Sequence, residues 1–158
     1  VIAVMEKKSA WHTPSEFHYW NIGIYWLLAG NPENAMISFQ KELNEGGREL
    51  GSILALYDLH RLDEFETRFS NYRETPDQNA GIAAVYAWTG DSDKAFELLD
   101  KMISDIGPEA LRQIDRRILR RLESDPRWQD LPGQRRSGHQ LPEPIDFQLE
   151  LPTEILNQ

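Results

Sequence analysis

The side chains able to do chemistry in this 158-residue chain do not gather. His12, His18, His60 and His139 follow no ligand spacing, and with no cysteine present there is no thiolate to complete a metal site. The turns Gly30-Asn31-Pro32 and Gly90-Asp91-Ser92 lack the Gly-x-x-x-x-Gly-Lys-Ser/Thr run whose backbone N–H groups cradle phosphate. The carboxylates are scattered over solvent-facing helix positions, with no pair set for acid–base work. Ser92 and Ser124 read as cap and turn residues, not nucleophiles. The expectation is a protein that is not an enzyme, with no catalytic residue, no metal and no cofactor.

Arginine is the one charged type that concentrates. Residues 112–136 hold eight Arg against Asp115, Glu123, Asp125 and Asp130; that local +4, in a chain of net charge −9, leaves −13 elsewhere. The overall charge argues against non-specific nucleic-acid binding, and no nucleic-acid partner is expected. Arg112, Arg116, Arg117, Arg120 and Arg121 form a basic patch. Its plain reading is the solvated face of an amphipathic helix; a docking patch for an acidic partner is the second reading. A nucleic-acid contact would betray itself by a steep loss of binding with salt.

Composition bounds the rest. Apolar residues at 40% and aromatics at 10% fit a folded chain with one sizeable core or a short helical stack. No apolar run approaches the roughly 20 residues of a membrane span. The chain opens on Val1, as a segment of a longer protein or a processed product would. Zero cysteines suit a reducing or an oxidising compartment, so cytoplasm and periplasm both stay open, the cytoplasm slightly favoured.

The elements that would position these residues are helical hairpins. Residues 1–12 read as the back half of an earlier one. Thr13-Pro14-Ser15-Glu16 is a helix start, with Thr13 as cap and Pro14 at the first helical position. The helix through about Ala29 is apolar nearly all round and should be covered on more than one side. Gly30 ends it, Asn31-Pro32-Glu33 starts the next, and Gly46-Gly47 stops that one. Leu50 to Leu59 makes a helix, His60-Arg61 a turn, and Phe65, Phe69 and Tyr72 continue. Thr75-Pro76-Asp77-Gln78 repeats the Thr-Pro start. In Asn79 to Met102 two amphipathic patterns meet at Gly90, which supplies a left-handed residue, while Asp91 or Ser92 caps the second helix. The turns at Gly30, His60 and Gly90 lie thirty residues apart, the mark of stacked helical hairpins.

These turns and their surroundings resemble the tetratricopeptide repeat. The family's slots fall on Tyr19, Ile22, Gly23, Trp26, Gly30, Ala35 and Phe39, and again on Asn79, Ile82, Ala83, Tyr86, Gly90, Ala95 and Leu99. In the middle repeat Ile53 replaces a Gly, His60 the turn Gly and Phe65 the small Ala, so His60 suggests a different backbone there. The period of thirty is also shorter than the family's 34. The resemblance covers roughly residues 13–104. It implies an all-α fold of stacked antiparallel hairpins, about three with flanking helices. Residues 109–122, with Leu111, Ile114, Ile118 and Leu122 on one face, read as one further amphipathic helix. The stretch from Leu122 to Leu131, with its Asp-Pro-Arg-aromatic motif, resembles the end of bacterial repeat-containing sensory and regulatory proteins. The expected division is a repeat domain over 1–131 and a Pro-rich tail or linker over 132–158. In that tail Ile145, Phe147, Leu149 and Leu151 alternate with polar residues, the two-residue period of an extended segment.

In this family the first helices of the hairpins line a binding groove. Here its slots fall on Trp20, Asn21, Ile24 and Leu27, on Leu50 and Leu54, and on Ala80, Ala84, Ala87 and Trp88. The resemblance thus implies a scaffold that binds a partner protein or peptide through an apolar trough. The alternative is a self-association or regulatory module, its trough filled by its own C-terminal tail or by a neighbouring copy in a homodimer. A short stack that closes up would instead make some of these residues ordinary core.

Overall fold

The computed structural model describes residues 18–44 and 48–132; the calls on residues 1–17, on Gly46-Gly47 and on the tail beyond Pro132 lie outside them. The described residues are helical, with no strand among them. The α-helices are α1 (His18–Leu28), α2 (Pro32–Asn44), α3 (Leu50–Asp58), α4 (Leu62–Glu74), α5 (Asn79–Thr89), α6 (Ser92–Ile106) and the single turn α7 (Arg116–Leu119). Three 3-10 stretches, Pro108–Gln113, Arg120–Leu122 and Pro126–Asp130, interleave with α7 at the C-terminal side.

Three turns with one geometry make the hairpins. Gly30, His60 and Gly90 all take positive φ, at 72°, 55° and 87°. After each, the next N–H reaches back five residues, from Asn31 to Trp26, from Arg61 to Leu56 and from Asp91 to Tyr86, all at 3.0 Å. This is a Schellman end, which satisfies the last helix carbonyls through one left-handed residue. His60 therefore adopts the glycine conformation, and the different backbone suggested by its side chain does not occur. The following helices are capped where the residue permits. Asn31 Oδ1 accepts from the Asn34 N–H at 3.1 Å, and Asp91 Oδ1 accepts from the Lys94 N–H at 3.3 Å. Arg61 has no capping acceptor and instead grips Glu64.

One start signal is displaced. Thr75 ends α4 in extended backbone, Asp77 takes a φ of 62°, and α5 begins at Asn79. The Thr-Pro pair here turns the chain between hairpins; it does not cap a helix.

Helices α1, α3 and α5 pack in a row, α1 beside α3 and α3 beside α5. Tyr57 Oη donates to the Thr89 carbonyl at 3.2 Å, and Trp88 Nε1 donates to Asp58 Oδ1 at 3.0 Å, joining the ends of α3 and α5. Close approach is set by glycines facing aromatic rings. A methyl group at Gly23 or Gly51 would overlap the ring of Phe39, and one at Gly81 would overlap Tyr72. Phe39 is thus wedged between α1 and α3, fully buried. Gly51 and Gly81, thirty residues apart, are sockets for the aromatic residue of the preceding second helix. In the middle hairpin Phe65, at the small-residue slot, is absorbed into a chain of rings: Tyr57–Phe65 at 5.4 Å, Phe65–Phe69 at 5.6 Å and Phe69–Tyr86 at 5.4 Å.

The expected single helix over 109–122 is broken. Ile114 is extended, and Asp115, also extended, caps the short α7 by accepting from the Arg117 N–H. Three apolar residues expected on its face, Ile114, Ile118 and Leu122, are buried all the same, and Leu111 packs partly buried against the core. Burial is preserved because the 3-10 and α turns deliver them to the same side. The break is what frees Asp115 to point at α1.

Candidate functional site

The face shared by α1, α3 and α5 holds the candidate groove residues, and most of them are inaccessible. Trp20 and Leu50 are each 8% exposed, Ile24 and Leu54 are fully enclosed, and Leu27, Ala84, Ala87 and Trp88 are buried. Asn21 and Ala80 are half-buried. The apolar coverage expected for α1 on more than one side is met by α2, by α3 and by the segment that follows α6.

That segment is fastened at two points by one device. Asp115 Oδ1 accepts from both the backbone N–H and Nε of Arg117, each at 2.9 Å. Arg117 then donates to Asn21 Oδ1 at 2.7 Å and lies 5.0 Å from the centre of the Tyr25 ring, both on α1. Ten residues later, Asp125 Oδ1 accepts from the backbone N–H and Nε of Arg127, each at 3.0 Å. Arg127 reaches Asp93 on α6 at 2.9 Å and lies 4.4 Å from the centre of the Phe96 ring. The pattern Asp-x-Arg therefore occurs twice as a lock, first onto α1 and then onto α6. The Asp-Pro-Arg-aromatic motif is the second lock, followed by a buried Trp128.

The basic patch divides by task. Arg117 serves the first lock. The Arg121 guanidinium lies 3.6 Å from the centre of the Trp88 rings and donates to the Trp88 carbonyl at 3.4 Å. Its cation covers the outer side of the indole, a contact favourable in its own right. Arg120 meets Glu123 at 3.6 Å in solvent, and Arg112 and Arg116 are exposed.

Electrostatics at the first lock favour a charged pair. Burial pushes the Asp115 carboxyl up, but the Arg117 guanidinium, the Trp20 indole N–H and the Arg117 backbone N–H outweigh it and hold the pKa below the ordinary value. Asp58 is the opposite case. Burial dominates there, and the Trp88 hydrogen bond and the Arg121 charge do not undo it, so its pKa is raised.

Between the row of first helices and the C-terminal segment an opening of about 270 Å³ remains. Trp20, Leu50, Gly81 and Ala84 form its apolar side, and Arg48, Arg112, Gln113 and Arg117 its polar side. Trp20, Asn21, Leu50, Ala80, Ala84, Arg112 and Arg117 are therefore brought together from among the candidate residues. Ile24, Leu27, Leu54 and Trp88 do not line it, and neither do Arg116, Arg120 and Arg121. Sequence reasoning missed Arg48, Gly81 and Asp115. The thirty-residue spacing of Gly51 and Gly81, and the repeated Asp-x-Arg, were the available signals. No group of His, Asp and Glu residues able to hold a metal occurs among the described residues, and no described helix is long and apolar enough to cross a membrane.

No family model matches this chain, and no curated protein or solved structure does.

Proposed function

We propose that this chain is a helical-repeat interaction module of tetratricopeptide type, binding a partner protein or peptide through the face shared by α1, α3 and α5. The observation that carries the reading is the opening on that face, apolar on the helix side and basic on the other. The three turns with one hydrogen-bond pattern, the paired glycine sockets and the adjacency of the first helices support the repeat relationship. The opening is small, so a partner would insert one or two side chains there and lay the rest of its contact over Arg48 and Arg112.

A photo-reactive amino acid placed at the half-buried Ala80 tests this, in cells of the source organism. A discrete heavier adduct is expected, lost when Arg48 and Arg112 are both changed to Glu and absent when the probe sits at Lys41 on α2. No adduct from Ala80 with wild-type arginines would overturn the reading.

A second reading draws on a specific observation. Ile114, Ile118 and Leu122 are buried by the chain's own C-terminal segment packing on α5. In this reading the module is regulatory, and its groove is closed in cis. Deleting the segment's hold with Asp115→Ala should then raise the yield of the Ala80 adduct, whereas the first reading expects it unchanged or lower.

A further inference from the structure

A second and larger opening lies on the other side of the 3-10 helix Pro108–Gln113. It measures about 570 Å³, within the size range of ligand-binding clefts, and its apolar wall is Leu111, Ile114, Leu119 and Pro132. Arg112 and Arg116 stand beside it, against a single carboxylate, Glu109. It is therefore a cleft of mixed polar and apolar lining with a net positive edge, in which Ile114 and Leu119 show little of their surface. Pro132, part of its wall, is the last residue described, so residues 133–158 leave from the cleft itself.

The chain beyond that point has the complementary chemistry. Residues 141–158 contain Glu143, Asp146, Glu150 and Glu154 and no Lys or Arg. Within them Ile145, Phe147, Leu149 and Leu151 alternate with Asp146, Gln148 and Glu150. In extended form one edge of this run is apolar and the other is acidic and polar, since successive side chains point opposite ways. The row from Ile145 to Leu151 would be roughly 20 Å long at about 3.3 Å per residue. The thirteen steps from Pro132 to Ile145 reach up to roughly 45 Å, so length does not prevent the run from folding back.

We propose that residues 145–151 of this chain occupy this cleft in the same molecule, with Phe147 and Leu149 against Pro108, Leu111 and Pro132, and Asp146 and Glu150 toward Arg112 and Arg116. The opening on the α1–α3–α5 face is the poorer receptor for this segment. It has less than half the volume. The two openings share Arg112 and Ile114, whereas Pro108, Leu111, Arg116 and Pro132 belong to this cleft and not to the first-helix opening.

The absence of native cysteine makes a clean test available in the full-length chain. Glu109→Cys at the cleft edge is combined with Gln148→Cys, whose side chain faces away from the apolar row. Mild oxidation should close an intramolecular disulfide at least tenfold faster than in a control pairing Gln148→Cys with Glu66→Cys on α4. Adding Phe147→Asp and Leu149→Asp should bring the rate down to the control. Hydrogen exchange in chains without cysteine supplies an independent readout: the amides of residues 111–114 should exchange faster in the double Asp variant, with helical circular dichroism unchanged. A rate no faster than the control, a disulfide that forms only between two molecules, or exchange unaffected by the Asp substitutions would each overturn the proposal.

Discussion

The carboxylate of Asp115 accepts the indole N–H of Trp20 at 2.9 Å, joining positions 95 residues apart. The same carboxylate also holds Arg117 and caps α7, so its loss strips three donors at once. Asp115→Ala should destabilise by about 1.5–3 kcal/mol, the range for hydrogen bonds to a charged group. Its folded-state pKa is depressed, so this stabilisation is fully present above about pH 4 and is lost as pH falls through the folded value. Urea midpoints measured from pH 6 to pH 2.5 should show a shallower acid decline in Asp115→Asn than in the wild type. Equal declines would mean the lock does not titrate as described.

Asp58 predicts the opposite response. Its pKa is raised by burial, so the folded protein holds this proton more tightly than the unfolded chain does. The group opposes folding fully above its folded-state pKa, and the penalty shrinks as pH falls from that value toward the lower unfolded-state value. Asp58→Asn keeps an acceptor for Trp88 and removes the charge. Its thermal midpoint at pH 7 should equal or exceed that of the wild type, whereas Asp115→Asn should lower it. A large loss in Asp58→Asn would show that the charge itself supports the Trp88 contact.

His60 carries a left-handed backbone, and the residue is exposed. A non-glycine residue in that region costs roughly 1–2 kcal/mol, part of which glycine gives back in chain entropy. His60→Gly should therefore stabilise by about 0.5–1 kcal/mol in denaturant titration. Gly30→Ala and Gly90→Ala should each destabilise by about 1 kcal/mol. Neither added methyl group meets any atom within 4 Å, so a loss would report backbone strain alone.

The glycine sockets should differ in tolerance. At Gly51 an added methyl overlaps the body of the enclosed Phe39 ring, and overpacking of that sort costs about 1–3 kcal/mol. At Gly81 it overlaps the hydroxyl end of the half-buried Tyr72, which can swing away. Helix propensity favours Ala over Gly by about 1 kcal/mol at both sites. Gly81→Ala should thus be near neutral and Gly51→Ala destabilising. The loss in Gly51→Ala should shrink when Phe39→Leu is added. Additive losses would remove Phe39 as the reason for the glycine.

The helices and their turns were legible in the sequence because Gly, Asn-Pro and Asp act locally, and the thirty-residue period repeated the signal. Two local signals misled. Thr75-Pro76 looked like a cap, yet Asp77 enters the left-handed region and delays α5 to Asn79. His60 looked like a departure, yet the Schellman bonds impose the glycine conformation on it. The break at Ile114-Asp115 was hidden because helical spacing of apolar residues survives a kink that keeps them on one side. Which face the C-terminal segment covers depends on Asp115 meeting Trp20 and Asn21 meeting Arg117. Pairings that distant leave no periodic trace.

Hairpins that touch only their neighbours along the sequence fray from the ends, because a terminal unit has half the contacts of an internal one. The two Asp-x-Arg contacts oppose that here, the half-buried one at Arg117 more than the solvent-exposed one at Arg127. From a stretch of about a dozen residues, one lock grips the first described helix and the other grips the last long one. Detaching α1 breaks the bond to Arg117, and detaching α6 breaks the bond to Arg127. The described core should accordingly melt as one cooperative unit, with amide protons of α1 and α6 sharing a single opening free energy. Its folding rate should be governed by closure of the long loop between Trp20 and Asp115 and not by the fast formation of any one hairpin.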